Sequence, residues 1–451
     1  MPVAPPPVLP PEQLTSDVTC LGCGCACDDI GVVVRDGRIT EARNACDRGA
    51  AWFGSGQTPA GASLSGREAT REEGMRAAVG LVASARRPLI YLAPDLTCEA
   101  QREGVALADA LHAALDTITS STALGSILAA QERGRASATL GEARHRADVV
   151  VCWGVDPLVA HPRYWTRYAP MPVGLYVPDG RRSRTVVAVD VGELAGPADV
   201  DRRFAIPPGD EIATLTALRA LAGQTHTRED TSHEALAGTD PLAVAIWARA
   251  RALLPTLVAG RYVLLVADAE HAPAGLSTAD PARLSALIGL AQALNGPTRC
   301  ALSLLRGGGN RNGADAVLTS QTGYPTAVDF SHGYPRYRPH DGTAMTLASR
   351  GDVDAVIVIG SADSLPAELT SLLARLPGVV IGPRATQSAL AAHHVAIDTG
   401  LAGVHDEGTA LRLDDVPLLL RPVLAGPPAA ASVVSALRTQ VVTRPQARRA
   451  E

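Results

Sequence analysis

The chain has 451 residues, 46% of them hydrophobic and 3% aromatic, with a formal net charge of -5. This length and apolar content allow a sizeable buried core, divided over about two to four domains. The acidic balance, with a pI near 6.1, excludes a sequence-independent nucleic-acid binder, because such a protein needs a surplus of basic residues or a basic face.

The first eighteen residues predict a disordered, proline-rich tail. They begin M-P-V-A-P-P-P-V-L-P-P and lack the positive segment and the unbroken apolar segment of a signal peptide. No later run of about eighteen apolar residues is free of charge and proline, so we expect no membrane span. The expected location is the cytoplasm, where clustered cysteines hold metal more often than they form disulfides.

Residues 19–60 form a predicted cysteine-rich head. The stretch V-T-C-L-G-C-G-C-A-C-D-D from Val18 contains a C-x2-C-x3-C pattern, and another cysteine follows in N-A-C. The four candidate metal ligands are Cys20, Cys23, Cys27 and Cys46. Thiolates at this spacing reach one centre without strain and suit either a 4Fe-4S cluster or a structural zinc. Cys25 is then the spare, and the alternative is five reduced thiols in a small core.

A β-hairpin is predicted between the third and fourth of these cysteines. Two alternating apolar runs, I-G-V-V-V-R and R-I-T-E-A-R, flank Asp36-Gly37. An Asp-Gly pair in this setting is the strongest short-range hairpin signal. The head is therefore expected to be a small hairpin held by a metal.

The rest of the chain predicts an α/β fold. Short runs rich in Val and Ile, typical of strands buried on both faces, start at Pro88, Asp148, Thr185, Tyr262, Asp354 and Val379. Helical spacing of apolar residues separates them, as in Glu73–Ala85 and Glu99–Leu115. We expect parallel sheets covered by helices. The predicted divisions are a tail (1–18), the head (19–60), two α/β domains (61–225 and 240–425) and a C-terminal helix with its tail (426–451).

Several segments resemble one family. They are C-L-G-C-G-C-A-C-D-D with N-A-C in the head, L-G-E-A-R-H-R-A-D-V-V-V-C-W-G-V-D-P from Leu140, P-P-G-D-E from Pro207, V-L-T-S-Q-T-G-Y-P-T-A-V-D-F-S-H-G-Y-P-R-Y from Val317 and D-E-G-T-A-L-R-L-D-D-V-P from Asp406. From about Thr19 to about Leu424 the chain resembles the B subunit of formylmethanofuran dehydrogenase, a relative of molybdopterin and tungstopterin formate dehydrogenases. The match from Val317 is the most specific, since its length makes a chance match improbable.

The resemblance implies a fold, a cofactor set and site residues. It implies Rossmann-like parallel-sheet domains of the molybdopterin oxidoreductase type without the C-terminal pterin-covering barrel, which the family places on a separate or fused chain. It also implies a 4Fe-4S cluster on the four head cysteines, in preference to zinc. The implied cofactor-binding residues are Arg306, Asn310, Gln321, Tyr324 and Asp329. Residues expected to line the ancestral crevice are Tyr324, Pro325, Tyr334, Pro335 and Arg336.

Two departures from the family pattern predict that the metal-pterin site is degenerate. The segment T-I-T-S-S-T-A-L-G-S-I-L-A-A-Q from Thr117, where the resemblance places a metal-binding thiolate, contains neither cysteine nor histidine. Cys98, Cys152 and Cys300 each lie in or beside a predicted strand and are expected to be core residues. The replacement ligands to consider are Ser120, Ser121 and Thr122, which are harder and more basic than a thiolate.

The second departure lies in L-R-G-G-G-N-R-N-G-A from Leu305, where the family pattern R-G-H-Y-N-x-x-G is expected. Arg306 and Asn310 remain, but Gly308 and Gly309 replace the histidine and tyrosine. Arg306, a vestigial catalytic candidate, could clamp formate bidentately, and no histidine remains to shuttle the proton. The glycines predict either a tight strand-to-helix loop or a vestigial pterin or phosphate contact. The loop histidines His161, His332 and His405 are expected to cap or fill rather than bind metal.

The main functional prediction is a B subunit of a formyltransferase/hydrolase complex in tetrahydromethanopterin-linked one-carbon metabolism, from formaldehyde to formate. In it the chain is structural, the molybdenum- or tungsten-pterin is absent, and other subunits of the complex are its partners. The alternative is an active molybdenum- or tungsten-pterin subunit acting between carbon dioxide and formate, which the retained cysteines and Arg306 favour. A third hypothesis is an unrelated α/β protein with a zinc head.

Overall fold

A computed structural model describes residues 12–224, 240–273 and 277–444, and these divide into two compact units. The first unit is assembled from three stretches of chain, Met1–Ile118, Gly308–Arg412 and Pro417–Glu451. The second unit contains Thr119–Gly307 and Leu413–Val416.

The strands are β1 Gln13–Val18, β2 Ile30–Arg35, β3 Arg38–Arg43, β4 Ala62–Leu64, β5 Arg67–Ala69, β6 Pro88–Leu92, β7 Ala114–Thr117, β8 Val149–Trp153, β9 Thr185–Val191, β10 Arg202–Ile206, β11 Tyr262–Asp268, β12 Arg299–Leu305, β13 Val328–Asp329, β14 Arg336–Tyr337, β15 Ala355–Ile359, β16 Gly378–Gly382, β17 Val395–Asp398, β18 Gly408–Leu411 and β19 Pro417–Leu420.

The α-helices are α1 Asp47–Phe53, α2 Arg71–Ser84, α3 Cys98–Leu111, α4 Thr119–Thr122, α5 Leu124–Arg133, α6 Leu140–Arg146, α7 Pro157–Ala160, α8 Tyr164–Arg167, α9 Glu211–Gln224, α10 Pro241–Val258, α11 Ala282–Leu294, α12 Arg311–Thr322, α13 Ala344–Arg350, α14 Ala367–Leu373 and α15 Ala430–Thr443.

The head contains a three-stranded antiparallel sheet in the order β1-β2-β3. Asp36 (φ 50°) and Gly37 (φ 66°) form the two-residue turn between β2 and β3, with the positive φ angles of a type I′ hairpin. The predicted hairpin is confirmed. The predicted tail is shorter than expected, because β1 pairs with β2 and so orders Gln13–Val18; residues 1–11 lie outside the described part of the chain.

A nine-stranded sheet forms the centre of the first unit. Its order is β14-β13-β7-β6-β15-β16-β17-β4-β5, and the five strands from β7 to β17 in that order are parallel. One face packs against α2, α3 and α15, and the other packs against α13 and α14, so the central strands are buried on both faces. The predicted parallel sheet covered by helices is confirmed.

The second unit is built on a five-stranded parallel sheet in the order β10-β9-β8-β11-β12. Helices α5, α9, α10 and α11 contribute to its core. Among the described residues, α10 is the one helix long and apolar enough to span a membrane by length and composition, with a mean hydropathy of 1.3. It contains two arginines, and Arg249 pairs with Asp210 at 2.6 Å. A single such helix is weak support for a membrane span.

The two units cut across the predicted α/β domains. Strands β6 and β7, predicted within 61–225, pair in one sheet with β15 to β17, which were predicted within 240–425. Conversely, β8 and β9 pair with β11 and β12. Runs of buried strand residues look alike in sequence. Parallel strands are joined by long crossover connections of variable length, so the sequence does not show which strands pair. The predicted break between 61–225 and 240–425 falls on residues 225–239, outside the described part of the chain.

Candidate functional site

The head brings its cysteine side chains together in a tight loop. Cys20 N–H donates to the Cys27 carbonyl at 2.8 Å and closes the loop, while Ala26 N–H donates to the Cys23 carbonyl at 3.1 Å. The four cysteines of the loop are buried, and Cys46, at the start of α1, is half-buried. No disulfide joins any of the eight cysteines, all of which lie in the described residues.

Burial and neighbouring cysteines keep the thiols of Cys20 and Cys25 protonated when no metal is bound. Burial, together with the neighbouring Cys23, Cys27 and Cys46, raises the pKa of Cys20 to about 12, against the Gly22 N–H bond that lowers it. A hydrogen bond with Cys23, followed by burial, raises the pKa of Cys25. Metal binding here therefore releases protons, because the thiolate is the ligand.

Zinc and a 4Fe-4S cluster place different demands on the head cysteines. In the described residues no three His, Cys, Asp or Glu side chains are arranged to hold one metal ion. A tetrahedral zinc with bonds of about 2.3 Å needs sulfur atoms about 3.8 Å apart. A 4Fe-4S cluster binds each thiolate at a different iron and so accepts a wider spacing. The head supplies thiols alone, four of them buried and Cys46 half-buried, and the preference for a 4Fe-4S cluster over zinc stays a prediction.

A crevice of about 450 Å³ opens at the carboxyl ends of the parallel strands of the first unit. Pro94 and Asp95 follow β6, Ser361 follows β15 and Arg384 follows β16, and all four line it. Its other walls include Trp52 of the head and the glycine-rich loop before α12. Open α/β sheets bind ligands at this edge, and the volume is that of a single small-molecule site.

Asp95 is the buried carboxylate of this crevice. Its Oδ1 accepts the Ser361 N–H at 2.8 Å, whereas its Oδ2 has no hydrogen-bond partner among the described residues. Burial raises its pKa above the usual range, against the Ser361 bond that lowers it. Asp95 can therefore accept a hydrogen bond from a ligand, and Arg311 and Arg384 supply positive charge nearby. Sequence analysis missed these residues, although each lies near the end of a predicted strand or the start of a helix.

The glycine-rich loop before α12 is a close packing contact. A Cβ on Gly308 would lie 2.7 Å from the Gly22 carbonyl oxygen, and one on Gly309 (φ 86°) would lie 2.3 Å from that of Pro94. Gly309 N–H also donates to the Leu21 carbonyl at 2.8 Å. Gly308 thus lets the loop before α12 pack closely against the cysteine loop, and Gly309 lets it pack closely against the loop after β6. The interpretation as a tight loop agrees with this geometry.

Asn310 is a structural clip. Its Nδ2 donates to the Leu96 carbonyl at 3.0 Å, and its Oδ1 accepts the Leu411 N–H at 2.8 Å. Its own carbonyl accepts from Gln101 Nε2 at 3.1 Å. These contacts join the loop after β6, α3 and β18. The predicted cofactor role of Asn310 stays a prediction, and its amide is already engaged with the backbone.

The other three predicted cofactor residues of the first unit lie elsewhere. Gln321 is exposed on α12, and Tyr324 stacks on Tyr337 with ring centroids 5.2 Å apart. Asp329 pairs with Ala114, the first residue of β7, and lines a cavity of about 230 Å³ that also includes Pro88. Pro88 and Ala114 are the first residues of β6 and β7, so Asp329 lies at the amino ends of these parallel strands. None of the three lines the 450 Å³ crevice.

The Asp329 carboxylate is held in a network of charges. Burial alone would raise its pKa, but hydrogen bonds from Ser331 and the nearby guanidinium groups hold that pKa below its usual range. Arg338 approaches it at 3.4 Å and Arg336 at 3.5 Å. Of the predicted crevice residues, neither Tyr334 nor Arg336 lines the large crevice. The segment after α12 therefore lies at the amino ends of the parallel strands, opposite the large crevice.

Arg306 belongs to the second unit, at the carboxyl end of β12. Its Nε donates to Glu270 Oε1 at 3.3 Å and its Nη2 donates to Thr119 Oγ1 at 2.8 Å. His161 Nε2 contacts the Arg306 carbonyl at 2.7 Å. The Arg306 and Glu270 side chains are 7% and 8% exposed, so the pair is buried. Sequence analysis did not single out Glu270, which follows β11.

The remaining cysteines and histidines have structural surroundings. Cys98 begins α3, Cys152 lies in β8 and Cys300 lies in β12, all buried, as expected for core residues. His405 Nδ1 accepts the Leu401 N–H and Nε2 donates to the Gly56 carbonyl, a pattern of the neutral ring, and burial lowers its pKa. His332 is exposed beside Ser331. Ser120, Ser121 and Thr122 lie in the one-turn helix α4.

Comparisons with known proteins decide the family. The chain is 32% identical over 435 residues to the B subunit of the tungsten-containing formylmethanofuran dehydrogenase 2 of Methanocaldococcus jannaschii, covering 92% of this chain and 95% of the relative. The corresponding protein of Methanococcus maripaludis is 31% identical over 436 residues, with the same coverage of both chains. The chain belongs to the family of formylmethanofuran dehydrogenase B subunits. No protein-family model matches it.

A solved structure agrees with this fold. The match is to a chain of the formyltransferase/hydrolase complex FhcABCD from Methylorubrum extorquens, in complex with methylofuran, with a TM-score of 0.66 and 20% identity. The alignment covers 86% of this chain and 98% of the other. It supports the mixed α/β architecture with its parallel sheets and small antiparallel head. The family resemblance stated from the sequence is confirmed.

Proposed function

We propose that this chain is a structural component of a formyltransferase/hydrolase complex in tetrahydromethanopterin-linked one-carbon metabolism, on the route from formaldehyde to formate. Its proposed partners are the other subunits of that complex, and its proposed location is the cytoplasm. The proposed fold type is that of the molybdopterin oxidoreductases. Family membership and the likeness to a chain of FhcABCD support this assignment.

One observation carries the proposal. The family resemblance calls for a thiolate in the region from Thr117, and this chain has T-I-T-S-S-T there. Hydroxyls bind molybdenum or tungsten differently from a thiolate, because they are harder and more basic. The 450 Å³ crevice, moreover, suits one small molecule rather than two pterin dinucleotides. We therefore propose that the metal-pterin is absent and that the chemistry belongs to partner subunits.

We further propose that Cys20, Cys23, Cys27 and Cys46 hold a 4Fe-4S cluster, with Cys25 as a fifth thiol beside it. Such a cluster supplies one-electron transfer when bound. In a head this small, metal binding also stabilises the fold, because binding free energy becomes folding free energy. A structural role explains why the cysteines remain although the thiolate in the region from Thr117 is missing.

The test is an activity comparison on the complex purified through a tag on this chain. We expect formyl transfer from formyl-tetrahydromethanopterin and release of formate, with no formate oxidation coupled to a viologen dye. Dye-coupled oxidation of formate or formylmethanofuran would contradict the proposal and establish the active oxidoreductase, which the retained cysteines favour. Dye reduction that is lost when molybdenum or tungsten is removed would lead to the same conclusion.

A further inference from the structure

The second unit contains a buried ion pair where its sheet would bind a ligand. Glu270 and Arg306 follow the adjacent parallel strands β11 and β12 at their carboxyl ends. Ligands of open α/β sheets bind at this edge. The pair therefore lies where a ligand would bind, although both of its members belong to the chain itself.

The groups around the Glu270 carboxylate are those of a carboxylate-binding site. Oε1 accepts from Arg306 Nε at 3.3 Å, and Oε2 accepts from the Gly307 backbone N–H at 3.1 Å. Arg306 Nη2, on the same edge of the guanidinium, donates to Thr119 Oγ1 at 2.8 Å. A guanidinium edge combined with a backbone N–H recognises a carboxylate of any origin.

Asp268 stabilises the turn that contains Glu270. Its Oδ1 accepts the backbone N–H of Glu270 at 2.7 Å and that of His271 at 3.1 Å. Its Oδ2 contacts His271 Nδ1 at 2.9 Å, and the His271 side chain is 70% exposed. The Glu270 carboxylate thus enters the site from a turn at the protein surface, so the site lies close to solvent.

We propose that Arg306, Gly307 N–H and Thr119 form a binding site for a small carboxylate, which Glu270 of the same chain occupies. The site is closed to free carboxylates in the wild-type chain. Removing the Glu270 side chain beyond Cβ opens a space that formate or acetate fills. The proposal concerns this unit alone and holds whichever complex contains the chain.

The experiment measures thermal stability with formate as the probe, on the full chain in its complex. Glu270→Ala removes the Glu270 carboxylate from the buried Arg306 and is expected to lower Tm, and formate is expected to restore at least half of that loss in a saturable way. Formamide, a neutral molecule of similar shape, is expected to restore nothing. Wild type and Glu270→Gln, in which the space stays filled, are expected not to respond to formate.

Glu211→Ala is the matched control, because Glu211 pairs with Arg283 at 3.0 Å in the same unit but its side chain is 0% exposed, whereas that of Glu270 is 8% exposed. An equal response to formate in Glu211→Ala, or in the double variant Glu270→Ala with Arg306→Met, would overturn the proposal. If Glu270→Ala is recovered only as aggregate, its refolding is compared in formate and in formamide. Soluble protein in formate alone supports the site, and aggregate in both overturns it.

Discussion

Gln101 and Asn310 hold each other in the interior of the first unit: Gln101 Nε2 donates to the Asn310 carbonyl at 3.1 Å, and both side chains are fully buried. The contact joins α3 to the start of α12 across 209 residues of sequence. Since Asn310 also bonds the backbone of Leu96 and Leu411, it ties together segments that the sequence separates widely.

Asn310→Ala is expected to lower the free energy of unfolding by about 2–4 kcal/mol, because it removes the side-chain partner of the buried Leu96 carbonyl and of the half-buried Leu411 N–H. Urea denaturation measures the change. Gln321→Ala, on the exposed surface of the same helix, serves as the control and is expected to change the free energy by no more than about 0.5 kcal/mol. Equal effects of the two variants would show that Asn310 does not hold these segments together.

Gly309 and Gly323 allow a matched test of the close approach between the glycine-rich loop before α12 and the loop after β6. Both have φ of 86°, but a Cβ on Gly309 would meet the Pro94 carbonyl whereas one on Gly323 would meet nothing within 4 Å. Gly323→Ala is expected to cost about 1 kcal/mol from backbone strain alone. Gly309→Ala is expected to cost at least about 1–3 kcal/mol more. Similar losses of Tm would show that the approach is not needed.

The Asp406 carboxyl makes stability depend on pH. Burial raises its pKa to about 6, against the Ala430 N–H bond that lowers it. The unfolded chain has a pKa near 3.9, so the folded chain binds the proton more tightly. The stabilising contribution is complete below about pH 4 and is lost as pH rises through about 6.

Asp406→Asn is therefore expected to raise Tm above pH 6, because the amide keeps the bond to Ala430 without a buried charge. The full effect corresponds to about 3 kcal/mol. Thermal unfolding followed by circular dichroism between pH 4 and 8 measures it, with exposed Asp363→Asn as the control. A difference in Tm between Asp406→Asn and wild type that does not grow with pH would refute the assignment.

The head cysteines have different expected roles. Cys23→Ser removes a proposed cluster ligand and is expected to abolish bound iron and its broad visible absorbance. Cys25→Ser is expected to retain most of the iron, because Cys25 is the extra thiol. Cys300→Ser, in β12 of the second unit, is the control for loss of a buried thiol. Equal loss of iron in the Cys23 and Cys25 variants would show that Cys25 is a ligand.

Local sequence patterns predicted the elements well and their assembly poorly. The Asp36-Gly37 turn and the strand runs at Pro88, Tyr262 and Asp354 all appear as expected. The helix predicted over Glu99–Leu115 stops at Leu111, because His112 adopts the left-handed conformation that ends it and Ala114 begins β7. Which parallel strands pair depends on packing across the whole chain, so the division into units could not be read locally.

The candidate site shows the same limit. The cysteine spacing directly indicates a cluster of thiols, and the structure places those thiols together. Asp95 and Glu270, however, have no motif around them, and their importance comes from the strand ends they follow. Gln321 and Asp329 were selected by family resemblance alone. The sheet register places Asp329 at the amino ends of the parallel strands, opposite the large crevice.

We propose above all that this chain keeps its cluster and has lost its metal-pterin. The most direct test is metal and pterin analysis of the chain purified with its native partners, with iron, zinc, molybdenum and tungsten measured together. We expect about four iron atoms per chain, no molybdenum or tungsten, and no pterin. Stoichiometric molybdenum or tungsten with pterin would contradict it and would direct the search for the replacement ligand to Ser120, Ser121 and Thr122.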